Sequence, residues 1–114
     1  MGILGSLLNR APLEVFAKHL AEDVARRFPP ELDKEPGKRP SVNRLTRIIE
    51  DICKKAVNFK VAHRLGWLGK ARLGNAFRWE LRSMGYRKDF IDLATEAVIV
   101  HLSRKAPPVV KKES

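Results

Sequence analysis

The chain is nearly devoid of cysteine. Cys53 is the only thiol in 114 residues, so no intramolecular disulfide can form and stability must come from buried apolar surface. Long apolar runs are also missing. The longest, Ala97 to Val100, falls far short of the roughly 18 consecutive apolar residues that a membrane-crossing helix needs. Glycine and proline number 7 each, too few for a collagen-like or low-complexity chain. Aromatic residues supply only 7% of the sequence, but hydrophobic residues supply 44%, so a core is within reach and must be largely aliphatic. The length suits one such core.

Acid is scarce where base is abundant. The formal charge of +10 is spread unevenly: residues 1–37 carry 5 basic and 6 acidic side chains, 38–88 carry 14 and 3, and 89–114 carry 4 and 4. The excess therefore sits entirely in the middle. A local positive field of that size concentrates polyanions and weakens with salt.

Helical periodicity runs through most of the chain. Ile3, Leu4, Leu7 and Leu8 share one face of a short amphipathic stub. Pro12 fits the first turn of a helix, where a missing N–H is no loss, and Leu13, Phe16, Ala17, Leu20, Val24 and Phe28 then predict a helix over 12–28. Pro29 and Pro30 end it, and residues 31–40, aperiodic and rich in proline and charge, predict an exposed loop. Ser41 is an N-cap for a second helix, whose seam of Leu45, Ile49, Ile52, Ala56, Phe59 and His63 extends to Leu65. Its other side carries Arg44, Arg47, Glu50, Asp51, Lys54, Lys55 and Asn58, with Glu50 and Lys54, and Asp51 and Lys55, spaced as i,i+4 ion pairs on a solvated face.

Gly66 is a natural helix stop, after which Leu73, Ala76, Phe77, Leu81 and Met84 predict a third helix over 67–84, closed by Gly85. Gly69 and Gly74 inside it imply either close packing of a neighbour or a break in the segment. A last helix over 87–104 is apolar around most of its circumference, through Phe90, Ile91, Leu93, Ala94, Ala97, Val98, Ile99, Val100 and Leu102, and is expected near the centre. The fold class is all-α: a small irregular bundle of four main helices with a short amphipathic N-terminal stub, residues 1–105 forming one helical domain and 106–114 a disordered basic tail.

On a wheel of 100° per residue, Trp79 points away from the Leu73, Phe77, Leu81 and Met84 stripe and lies among Leu68, Arg72, Asn75 and Arg82. Such a face can stack a base while cations hold phosphate. Packing of the indole against another helix, with the arginines at its rim, is the favoured alternative, because large aromatics usually fill cores.

Signatures of chemistry are few. Ala62, Leu65 and Gly66 spell A-x-x-L-G, which resembles the turn of helix-turn-helix DNA-binding proteins over a short stretch. That resemblance implies apolar residues six and nine places after the glycine, but Arg72 and Asn75 stand there, and an ordinary helix hairpin closed by Gly66 is favoured. Gly66, Gly69 and Lys70 lack the spacing, the following Ser or Thr and the strand of a nucleotide-binding P-loop. His19 and Asp23 are only two ligands, too few for a metal, and point to surface hydrogen bonding. His63 and His101 fall on largely apolar faces and are expected in the core as neutral, hydrogen-bonded imidazoles. Cys53 reads as a small buried hydrophobe. Met1, Gly2 and Ser6 match a myristoylation pattern, but one acyl chain beside the lone Arg10 anchors marginally. Docking of residues 1–8 on the protein's own core is the simpler account than contact with a membrane. A secretory signal is not evident, so a cytoplasmic location is expected.

These readings converge on a non-enzymatic binding module without cofactor or metal. It is expected to engage a polyanion, nucleic acid, through Lys38, Arg39, Arg44, Lys70, Arg72, Arg78, Arg82, Arg87 and Lys88 on phosphate, with Trp79 stacking. The alternative is an adaptor that presents the same surface to an acidic protein, with Trp79 as anchor. Both require the cations to share one surface.

Overall fold

A computed structural model describes the backbone from Gly2 to Arg104 and the side chains from Pro12 to Arg104. It contains α1 (Gly2–Arg27), a single turn α2 (Pro30–Asp33), a 3₁₀ turn (Pro36–Lys38), α3 (Val42–His63), α4 (Trp67–Met84) and α5 (Lys88–Ser103). No strand occurs among the described residues. The side chains of the stub and the tail at 106–114 lie outside them.

Four long helices make the bundle. α1 and α5 each pack against both α3 and α4, whereas α3 and α4, although consecutive, pack chiefly on those two and not on each other. One face of every helix enters a common core: Leu20 and Val24 from α1, Ile48 and Ile52 from α3, Leu73, Phe77 and Leu81 from α4, Phe90, Val98 and Leu102 from α5. Each such side chain contributes about 1.5 to 3 kcal/mol of transfer free energy. Gly74 sets the approach of α4 to α5, since a Cβ there would lie 2.8 Å from Ile99 Cγ1. Cys53 is fully buried in the same core, and burial pushes its thiol from an ordinary 9.0 up to about 11, which makes it an inert filler.

Several boundaries differ from expectation. Pro12 lies inside α1, so the stub is the first part of that helix and not a separate piece. α3 does not stop at Gly66: the left-handed residue is Arg64 (φ 49°), whose N–H donates to the Val61 carbonyl while Leu65 N–H donates to that of Lys60. α4 closes in the same way, with Gly85 (φ 97°) donating to Arg82 and Tyr86 to Leu81. Gly66 is instead the extended N-cap of α4. Ser41 caps α3 as expected, its Oγ accepting from Arg44 N–H at 3.2 Å. α5 is not apolar all round in use, because Leu93, Ile99 and Val100 are exposed.

The segment 31–40 is not a free loop. Asp33, at the end of α2, is wholly buried; its Oδ2 accepts the backbone N–H of Arg87 at 2.7 Å, and its Oδ1 lies 2.8 Å from Arg39 Nη2. A buried carboxylate needs such partners, and this one also meets the positive end of α5. Beside it Phe28, Tyr86 and Phe90 form an aromatic cluster, Tyr86 Oη donates to the Phe28 carbonyl, and the Arg39 guanidinium stands over Phe28. Burial first, then the Asp33 charge, holds the Tyr86 phenol well above its ordinary range. Sequence periodicity is blind to this clamp because it joins residues far apart in the chain.

Charges on α3 also find partners across helices. Lys55 pairs with Asp23, and Asp51 with Arg27, in place of the i,i+4 pairs within α3, because α1 lies alongside. Partial burial pushes Asp23 up, but Lys55 and Arg26 outweigh it and hold the carboxyl below its ordinary value. The two histidines stay out of the core: His63 is exposed and stacks on Phe59, which stacks in turn on Phe16, while His101 is half-buried with Nδ1 2.8 Å from the Ala97 carbonyl.

Candidate binding face on the fourth helix

α4 buries Leu73, Gly74, Phe77 and Leu81 and turns Leu68, Arg72, Asn75, Trp79 and Arg82 outward, one stripe along its length. Trp79 is therefore not packed away: 64% of it is exposed. Sequence reasoning favoured burial, but among the described residues no helix packs over Trp79, because the two packing partners of α4, α1 and α5, occupy its other flanks.

Between this stripe and α1 lies an open cleft of about 720 Å³. Leu13 and Glu14 line it from α1, and Arg72, Asn75, Trp79 and Arg82 from α4. Arg78 and Glu80 line it as well. The indole gives an apolar plane with two guanidinium groups beside it, an arrangement that can stack a planar group and bind an anion attached to it. Glu14 and Glu80 reduce the positive field within the cleft.

The ten residues marked in the sequence do not all meet. Arg72, Arg78, Trp79 and Arg82 share the cleft. Arg78 is partly engaged, 2.7 Å from Asp92, which Lys88 also holds at 2.7 Å; these two hydrogen bonds keep the Asp92 carboxyl below its ordinary value. Arg39 is committed to Asp33, and Lys38 to Glu35. Arg87 and Lys88 border a shallow hollow at the start of α5 in which Asp89 and Asp92 offset them. Arg44 is exposed on the first turn of α3, and Lys70 is half-buried on α4. The end segments thus neutralise part of the central charge; among the described residues Arg72 and Arg82 stay unpaired on the outer side of α4, while Arg44, Arg47 and Lys54 stay exposed on α3, away from that cleft.

Leu13 and Glu14 were not legible as cleft residues, since only the packing of α1 on α4 brings them there. The helix-turn-helix resemblance also loses its geometry, because Gly66 is not the left-handed turn residue and α3 and α4 do not form a packed pair. Among the described residues no group of three or more potential ligands could hold a metal. Compared with protein-family models, curated proteins and solved structures, the chain matches none. What the fold and the site define is a small all-α bundle with an exposed aromatic and cationic helix face.

Proposed function

We propose that the chain is a non-enzymatic module that binds single-stranded nucleic acid along the outer face of α4. The observation that carries this is the exposure of Trp79 between Arg72 and Arg82 at the mouth of an open cleft. An indole left in water loses the burial that normally stabilises it, and stacking on an unpaired base would restore about 1 to 3 kcal/mol. Single strands suit the site better than duplex, because only unstacked bases present their faces.

The test uses the chain's two tryptophans. With Trp67→Phe, Trp79 alone reports, and a single-stranded oligonucleotide should quench it. Two free arginines on phosphate imply a salt slope near −1.4, hence affinity about sevenfold weaker at about 200 mM salt than at about 50 mM. Arg72→Glu with Arg82→Glu should abolish binding. An unquenched Trp79 at the lower salt would remove the proposal.

A second reading, an acidic protein partner on the arginines that also presents basic side chains to Glu14 and Glu80, is favoured by the mixed charge of the cleft. Glu14→Gln with Glu80→Gln separates the two: the pair should tighten an oligonucleotide and loosen a peptide that uses those carboxylates.

A further inference from the structure

We infer that the corner between α3 and α4 is a second binding surface, which seats in the interface of an anionic lipid bilayer. From Val61 to Leu68 every residue except Leu65 is exposed. Trp67 is 79% exposed, more than any other large hydrophobic residue of the described chain, and Val61 and Leu68 stand out beside it at 62% and 55%. Arg64 lies between them on the turn, with Arg72 one helical turn below Leu68, and neither is ion-paired among the described residues.

Charge identifies the occupant. No Asp or Glu occurs between Asp51 and Glu80, so the segment that forms the apolar tip carries only cations, and the carboxylates that share the cleft of Arg72 are Glu14 of α1 and Glu80. Three other carboxylates, Asp33, Asp89 and Asp92, lie around the start of α5. Valine and leucine offer nothing to a phosphate backbone, but they gain transfer free energy among acyl chains. An indole with an apolar body and one N–H belongs at the headgroup boundary, and the arginines can remain at lipid phosphates. No helix of the described chain is long and apolar enough to cross a membrane, so the contact is peripheral.

The tip is also held in shape. Leu65 turns inward onto the core and fills the space over Gly69, where a Cβ would lie 3.1 Å from it. Lys60 ties the end of α3 to α5, donating to the carbonyls of Leu102 and Arg104 at 3.2 Å each. The exposed side chains therefore project from a fixed corner.

Trp79→Phe leaves Trp67 as the sole reporter. Vesicles of phosphatidylcholine with about one-third phosphatidylserine should shift its emission to the blue, and brominated acyl chains should quench it, while phosphatidylcholine alone does neither. Leu68→Ser should weaken vesicle binding about tenfold. Arg64→Gly should weaken it about fivefold while raising the unfolding midpoint, a split that a purely structural role would not produce. A water-like Trp67 on anionic vesicles, or equal quenching on both compositions, overturns the inference. So does a Trp67 response to an oligonucleotide with none to vesicles, which would extend the nucleic-acid face to this corner. Each result is independent of the Trp79 titration.

Discussion

Replacing Asp33 should uncouple the 29–40 segment from the bundle. Asp33→Ala removes a charge-assisted acceptor from the Arg87 N–H, a loss of about 1.5 to 3 kcal/mol, and a negative charge from the start of α5, about a further 1 kcal/mol. The Arg39 contact adds little. Arg39 is about 32% exposed, so it returns to water when unpaired, and its contact lacks hydrogen-bond alignment, leaving Nε without a partner. Against these losses stands the desolvation of a buried carboxylate, which the substitution relieves. The net loss should be about 2 kcal/mol, a sizeable share of the roughly 5 to 15 kcal/mol that stabilises a domain. Asp33→Asn keeps an acceptor for Arg87 and should lose about half as much, and Arg39→Met less again. Urea unfolding followed by far-ultraviolet circular dichroism measures all three. If Asp33→Ala falls within about 0.5 kcal/mol of the parent, or Asn is as damaging as Ala, the clamp is not what holds this segment.

Other perturbations test the packing. Gly74→Val should destabilise by about 2 kcal/mol through its collision with Ile99, and Ile99→Ala in the same chain should recover part of that in a double-mutant cycle. The two left-handed helix ends should respond oppositely: Arg64→Gly gains about 1 kcal/mol and Gly85→Ala loses about as much, read as shifts in thermal midpoint. Thr95 Oγ1 is buried without a hydrogen-bond partner, so Thr95→Val should raise the urea midpoint by the equivalent of about 1 kcal/mol. Cys53 links stability to alkaline pH. Its folded thiol titrates near 11 and the unfolded one near 9.0, so its contribution is fully present below 9.0 and lost as pH rises towards 11, about 2 to 3 kcal/mol in all. Cys53→Ala should flatten that part of the stability profile.

The helices were legible because each carries its own period: the α3 seam and the Leu73, Phe77, Leu81 stripe name their buried faces before any partner is known. Gly85 was legible as a stop for the same local reason. Arg64 was not, since nothing in its identity announces a left-handed residue two places before a glycine. Asp33 looked like one more charge in a polar stretch because its partners, Arg39 and the Arg87 amide, meet it only in three dimensions. Trp79 shows the reverse failure. The wheel set it correctly opposite the core, but whether another helix would cover that side depended on the arrangement of α1 and α5. Trp67, the first residue of α4, precedes the apolar stripe that begins at Leu73, so helical periodicity alone does not show which way it faces.

The order of packing has a consequence for how the chain reaches its native state. α1 is made first, yet one of its two partner helices, α4, is not complete until Met84, and no tight hairpin joins α3 to α4. The contacts that close the bundle thus span long stretches of sequence, which raises contact order and slows folding relative to up-and-down bundles of the same size. During synthesis Leu20, Val24 and Phe28 remain uncovered until most of the polypeptide has emerged, and that nascent apolar strip is where a chaperone would first take hold.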